Sequence, residues 1–331
     1  MNVFNPDDDN NKYKDSGVQR CQILGITEDV PESNSNLHSI LDRLKLESVK
    51  YSLAFDLKCA NAVFGLSAHS GKRACLWCEG LITELGQLRS LGSLDYWYEE
   101  YAKAGAKKLN MQYFMNVINP RILYKDLDPS TMIQDLIPPP ELHLLIGVVT
   151  LVGVALLDIW EDFDEFLNNK NVFMRGYQGR GWDGNNSNKI LNCLEALEFK
   201  LNTSAPHLLP FTRCLFEFRK VKDACFGVNL DPAYKRELAN FKNSFTVLQE
   251  LCIELNTPIS FTWKIHILFF HVEPFIDSNN QSLGKFSEQC GEAIHAKFKP
   301  TWSRYKRDSN HPEHGEKLKS AVVDFCSRRI N

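Results

Sequence analysis

The stretch Ile259-Ser-Phe-Thr-Trp-Lys-Ile-His-Ile-Leu-Phe-Phe-His271 sets two histidines five positions apart on an apolar run. Far upstream stands Cys75-Leu-Trp-Cys78, a C-x-x-C whose spacing lets two thiolates bind one tetrahedral zinc ion. Alone, that pair is equally consistent with a redox couple or two unrelated thiols. His266 and His271, taken singly, read as satisfied core or surface histidines. Together the two pairs complete a Cys2His2 set, drawn from a chain with only nine histidines. One ion on all four would staple residue 75 to residue 271 and close a loop of nearly 200 residues. Such sites contribute folding energy outright, on the order of 10 kcal/mol in small zinc domains. With four protein ligands no coordination position stays open, so the expected zinc is structural and not catalytic.

Working outward, Val18 to Ile26 reads as a strand, ended by the turn-rich run Thr27 to Asn36. A short helix follows from Asn36 to Leu44. Lys50 to Leu57 reads as a second strand with Asp56 at its C-terminal end, and Ala60 to Leu66 as a helix leading into the cysteine loop. Beyond residue 83 the periodicity is helical almost throughout, over roughly 88–106, 140–168, 186–202, 208–227, 233–256 and 259–271. Pro138-Pro139-Pro140, the glycine-rich Gly176 to Gly184, Pro232 and Pro258 punctuate these runs. No internal repeat and no long linker is found.

The bulk numbers exclude little. With 331 residues, 44% hydrophobic and 24% charged, the chain has the composition of an ordinary globular protein with ample core. The net charge of −3 carries no nucleic-acid signature, so any such contact has to come from a local patch. Ten scattered cysteines and an acidic, polar start without a signal-peptide pattern point to a reducing compartment. The most apolar stretch, Leu142 to Leu157, is shorter than the ~20 residues a bilayer needs and reads as a buried helix. No membrane partner is expected.

Two acidic features remain. Asp56 at a strand end gains nothing from packing, and its simplest role is to cap the following helix. In Phe286-Ser-Glu-Gln-Cys-Gly-Glu-Ala-Ile-His-Ala-Lys-Phe298, Ser287 can cap a helix on which Glu288 and Glu292 share one face. Like charges there cost stability unless a cation balances them, and solvent exposure is the ordinary alternative. Phosphodiester cleavage and strand transfer use divalent ions held by carboxylates brought from distant segments, Mg2+ or Mn2+ being the natural candidates. Just downstream, Lys297, Lys299, Arg304, Lys306 and Arg307 interleave with Trp302 and Tyr305, a composition suited to a nucleic-acid backbone or to a solvated helix face.

The order of these pieces, from Asp56 through C-x-x-C, a long helical stretch and H-x4-H to Ser-Glu-x3-Glu, resembles the catalytic core of Transib-type transposases. The vertebrate V(D)J recombinase that descends from such elements has the same order. The resemblance covers roughly residues 16–310. It includes the Asp56 to Cys75 distance, the segment His266 to Phe298 and the helix start Gly184-Asn185…Lys189-Ile190-Leu191. Pro138-Pro-Pro-Glu-Leu-His143, taken with Asp56 and the C-x-x-C, is similar to transposon-derived proteins of invertebrates. It implies an α/β remnant of an RNase H-like fold carrying a large, mostly α-helical insertion, predominantly α by content.

The expected organisation is a tail over 1–15 and a partial RNase H-like segment with the C-x-x-C over 16–82. An insertion domain follows over 83–258, then the H-x4-H and the glutamate helix over 259–310, and a C-terminal helix over 311–331. Asp56 would be the second catalytic carboxylate and Glu292 the third, with Cys75, Cys78, His266 and His271 the zinc ligands and the role of Glu288 open. DNA and a second copy of the chain are the implied partners, and the nucleus the implied location. In that fold the first catalytic aspartate lies on the opening strand, upstream of the second. Before Asp56 the acidic candidates Asp7 to Asp9, Asp15, Glu28, Asp29 and Glu32 sit only in polar or turn segments. The expectation is therefore a transposase-derived protein inactive as this chain. A domesticated zinc-stapled scaffold for protein or DNA binding is the second reading, and an ordinary globular enzyme with free cysteines the third.

Overall fold

The computed structural model describes residues 23, 30–44, 54–67, 71–105, 110–174, 180–287, 289–308 and 310–328; of residues 289–292, 295 and 296 only the backbone is described. Helix follows helix. The short helix α1 (Asn34–Leu44) lies beside α2 (Leu57–Val63), tied by Asn34 Nδ2 donating to the Ala62 carbonyl at 2.8 Å. After the cysteine loop comes α3 (Leu91–Lys103). There Ser90 and Ser93 each accept the other's backbone amide at 3.1 Å, satisfying donors that the first turn leaves without partners. A one-turn helix α4 (Ile133–Leu136) precedes the prolines, and α5 (Glu141–Ile159) follows them.

Around α5 the body assembles from α6 (Asp162–Asn169), α7 (Gly184–Asn192), α8 (Leu194–Ser204), α9 (Leu209–Cys225), α10 (Tyr234–Glu254), α11 (Trp263–Phe270) and α12 (Val272–Asn279). α5 is apolar nearly all round and, at 19 residues, long and apolar enough to cross a membrane. Half of its apolar window is nevertheless buried inside the protein, where it packs on α7, α9 and α11. A helix apolar on every side behaves this way at the centre of a core. α9 and α10 make the most extensive helix pair, with Phe218 and Phe241 at 5.3 Å between ring centroids.

One continuous apolar cluster runs from Ala60 to Leu283, so the cysteine loop and the helical body share a core. A second, small cluster joins α13 (Gln289–Tyr305) to α14 (His314–Ser327) through Ile294, Phe298 and Phe325. Pro300 lies inside α13, where it removes one backbone donor from the helix.

Two expectations change here. Among the described residues there is no β-strand, only isolated bridges such as Leu66–Val117 and Cys78–Leu88. The strand read over 18–26 lies outside the described residues apart from Ile23. Of the strand read over 50–57, residues 50–53 lie outside them, residues 54–56 are irregular, and Leu57 opens α2. The apolar alternation there was outweighed by Asp56, whose carboxylate accepts the Cys59 amide at 2.7 Å and starts a helix. The single run read over 140–168 divides at Trp160, whose backbone is extended at φ −132°, ψ 102° and whose buried ring stacks on Phe163 at 6.0 Å. The chain is predominantly helical, as its content suggested; the RNase H-like remnant stays an expectation.

Candidate metal centre

The C-x-x-C loop is held before any ligand enters it. Asn61, buried on α2, donates to the Ala74 carbonyl at 3.1 Å, and the Trp77 indole donates to the Ile137 carbonyl at 2.8 Å. The loop then doubles back. Glu79 N donates to Gln87 O at 2.8 Å and Arg89 N to Trp77 O at 2.9 Å, flanking the Cys78–Leu88 bridge. The reversal brings Gly80 and Gly86 so close that a Cβ on Gly86 would lie 2.1 Å from Gly80 N. Only glycine fits there. The Gly80 amide in turn points at Cys78 Sγ, 3.4 Å away, a donor aimed at a thiolate.

The histidines come from a broken helix. Five residues advance about 140° around a straight helix, so His266 and His271 would diverge on one. Instead α11 ends at Phe270 and α12 begins at Val272, with His271 at the joint and its backbone at φ −123°, ψ −21°. The break turns both rings inward. Thr262 fixes the start of α11 by accepting the Ile265 amide.

All four ligand atoms converge. Cys75 Sγ lies 3.2 Å from His271 Nε2, Cys78 Sγ 3.4 Å from His266 Nε2, and the two Nε2 atoms 3.1 Å from each other. The four atoms lie within 4.8 Å of one another and all four residues are buried. With metal–sulfur bonds of about 2.3 Å and metal–nitrogen bonds of about 2.0–2.1 Å, a tetrahedral ion needs nitrogen–nitrogen and nitrogen–sulfur edges of roughly 3.3–3.6 Å and a sulfur–sulfur edge of about 3.8 Å. The two sulfur–nitrogen and the nitrogen–nitrogen separations above are up to a few tenths of an ångström shorter. The tautomer agrees as well: His266 Nδ1 sits 3.0 Å from the Ile82 carbonyl, which can only accept, so Nδ1 carries the hydrogen and Nε2 presents its lone pair to the cluster. Four lone-pair atoms facing one another in a dry pocket repel unless a proton or cation sits among them. The group can hold a metal ion.

Burial pushes the Cys75 thiol well above its ordinary pKa. Cys78 moves the other way, because the Cys75 thiol donates to it and His266 and His271 also favour its thiolate, outweighing burial. Burial likewise pulls His271 below the ordinary imidazole value, keeping it neutral. A neutral imidazole and a readily formed thiolate are the states that ligate.

No protein-family model and no curated protein matches the chain. Its chemistry is read from its own geometry.

The remaining candidates divide. Asp56 is the N-cap of α2, half-buried. Glu292 lies in α13, but its side chain, like all of Glu288, falls outside the described residues. Lys297, Lys299, Arg304, Lys306 and Arg307 are all exposed, on α13 and the segment after it, with Arg304 3.3 Å from Asp324 of α14. Two residues were given no role from the sequence. Glu141 is almost fully buried, accepts the Ser287 hydroxyl and so links the start of α5 to the entry of α13; it also borders a cavity with Asn188, Lys222 and Phe226. Arg89 is fully buried behind the cysteines. A lone arginine in Gln87-Leu-Arg-Ser90 carries no signal that separates it from a surface residue.

Proposed function

We propose that the four donors hold one structural zinc ion and that the clamped helical body is a transposase-derived core that binds DNA without cutting it as this chain. The observation that carries the reading is the meeting of two buried cysteines with two buried histidines from the far end of the chain. Two thiolates and two imidazoles in a tetrahedral set suit zinc, which has no redox chemistry to protect against and no need of a fifth ligand. The four side chains fill its coordination sphere, so the ion holds the fold.

The DNA half rests on the order of Asp56, C-x-x-C, helical body, H-x4-H and Glu292, and on the exposed basic run of α13. Catalytic Mg2+ or Mn2+ would have to rely on Asp56 and Glu292. Asp56 already serves as a helix cap through one carboxylate oxygen. The test has two arms. Purified chain should carry one zinc per molecule by elemental analysis and shift duplex DNA in a gel at low salt. With Mg2+ or Mn2+ it should neither nick nor join that DNA. Cleavage abolished by Glu292→Gln would restore the enzyme reading, and a zinc content near zero would remove the clamp.

A further inference from the structure

We infer that Arg89 is the positioning residue of the metal centre: its guanidinium sets the two ligating cysteines in metal-binding geometry and answers the carboxylate beside them. The inference rests on the metal reading above.

Arg89 is 0% exposed and its side chain plugs a ring of carbonyls. Nε donates to the carbonyls of both ligating residues, Cys75 at 3.0 Å and Cys78 at 3.1 Å. Nη2 donates to Met115 O at 2.7 Å and Arg73 O at 3.3 Å. The backbone is pinned as well, Arg89 N on Trp77 O and Arg89 O accepting the Ile133 amide, each at 2.9 Å. A C-x-x-C loop can aim its amides at sulfur only if its carbonyls point away and find donors. The single Nε–H, shared between the two carbonyls, serves both cysteines at once. The far wall is built for this contact: Met115 and the buried Asn116 both hold left-handed backbones, at φ 50° and 61°, as they carry the Met115 carbonyl to the guanidinium. Non-glycine residues adopt that conformation in succession only where the surroundings compel it.

The charges also balance. Nη1 makes no hydrogen bond and stands 3.9 Å from Glu79 Oε1, a carboxylate anchored by the Trp97 indole at 2.7 Å. A divalent ion and two thiolates already sum to zero, so the guanidinium's charge answers that of the Glu79 carboxylate. Without Arg89 the Glu79 carboxylate would lose this cationic neighbour where burial is costly. Lysine at this position keeps the charge but has one nitrogen, which cannot serve carbonyls on opposite sides of the ring.

The test loads parent, Arg89→Lys and Arg121→Lys with Co2+ and titrates each with a chromogenic chelator. Arg121 is the control, a half-buried arginine whose side chain donates to the Leu123 carbonyl at 3.1 Å and pairs with Asp95, with no bond to either cysteine. Arg89→Lys should bind the metal about 10–100-fold more weakly, the usual effect of losing an outer-shell partner, with weakened d–d bands. Arg121→Lys should lose thermal stability while keeping the parent spectrum and affinity. An Arg89→Lys chain with parent spectrum and affinity, or an equal loss in Arg121→Lys, overturns the inference. Should Arg89→Lys fail to fold, selective arginine 15N labelling of the parent decides. On chelation the Arg89 Nε–H should exchange at least tenfold faster relative to Arg121 Nε–H, and equal acceleration at both overturns it. A parent that binds no Co2+ refutes the metal reading itself, a result separate from either outcome for Arg89.

Discussion

His266 and His271 stand five residues apart yet bring their Nε2 atoms to 3.1 Å, because α11 stops between them and α12 sets off in a new direction. Pro274, in the first turn of α12, favours the break: it has no amide to donate to the Phe270 carbonyl and its ring crowds that oxygen, so a continuous helix is disrupted where α11 ends. The break presents both rings to the pair of cysteines opposite, so the ligand set depends on the helix geometry. Cys75→Ser and His271→Ala should each release the ion and lower stability by several kcal/mol, a large part of the roughly 10 kcal/mol such sites supply. Thermal melts with and without chelator check this: the parent should fall on chelation and the variants should not. Variants that melt like the metal-loaded parent would mean that the four residues share no ion.

Asp56 offers a test of its own. Its Oδ1 accepts the Cys59 amide at 2.7 Å, so the carboxylate caps α2. Asp56→Ala should cost about 1 kcal/mol in urea unfolding, while Asp56→Asn, which caps equally well, should cost almost nothing. If Asp56→Asn is as damaging as Asp56→Ala, the charge itself matters, and a role beyond capping returns.

What the sequence disclosed follows from which forces act locally. C-x-x-C and H-x4-H are short spacings with one strong chemistry, and both pairs were visible in isolation. Helices such as α9 and α10 bury one stripe, so their periodicity is plain over 208–227 and 233–256. The reading misled over residues 54–57 because the alternating apolar residues obscured the cap at Asp56, and the run over 140–168 divides at Trp160 although its apolar pattern is continuous. Arg89 was illegible for a deeper reason. Its partners are backbone carbonyls of Arg73, Cys75, Cys78 and Met115, and backbone groups leave no mark in the identity of the residues that own them.

Alkaline pH should weaken the fold through its buried thiols. Burial pushes Cys225 from an ordinary 9.0 up to about 12. A raised pKa means that the group's contribution is fully present below pH 9.0 and is lost as pH climbs towards 12, because the unfolded thiol ionises while the buried one does not. The loss from this residue approaches about 1.4 kcal/mol per pH unit in that window. Urea melts at pH 8, 9, 10 and 11 should show the decline, and Cys225→Ala should make it shallower by that amount. An unchanged slope in the variant would mean that the thiol ionises without unfolding.

The basic run of α13 makes the last prediction. Lys297, Lys299, Lys306 and Arg307 are exposed on α13 and the segment after it, and Arg304 faces Asp324. A lysine on a phosphate releases about one counterion when it binds, so each such contact adds about 0.9 to the slope of log affinity against log salt. Lys299→Ala should therefore weaken duplex binding evenly across sequences and lower the slope by about one. Lys317→Ala on α14, where the lysine pairs with Glu313 at 3.9 Å, should leave the slope unchanged. Equal effects from both substitutions would mean that DNA senses overall charge and has no seat on α13.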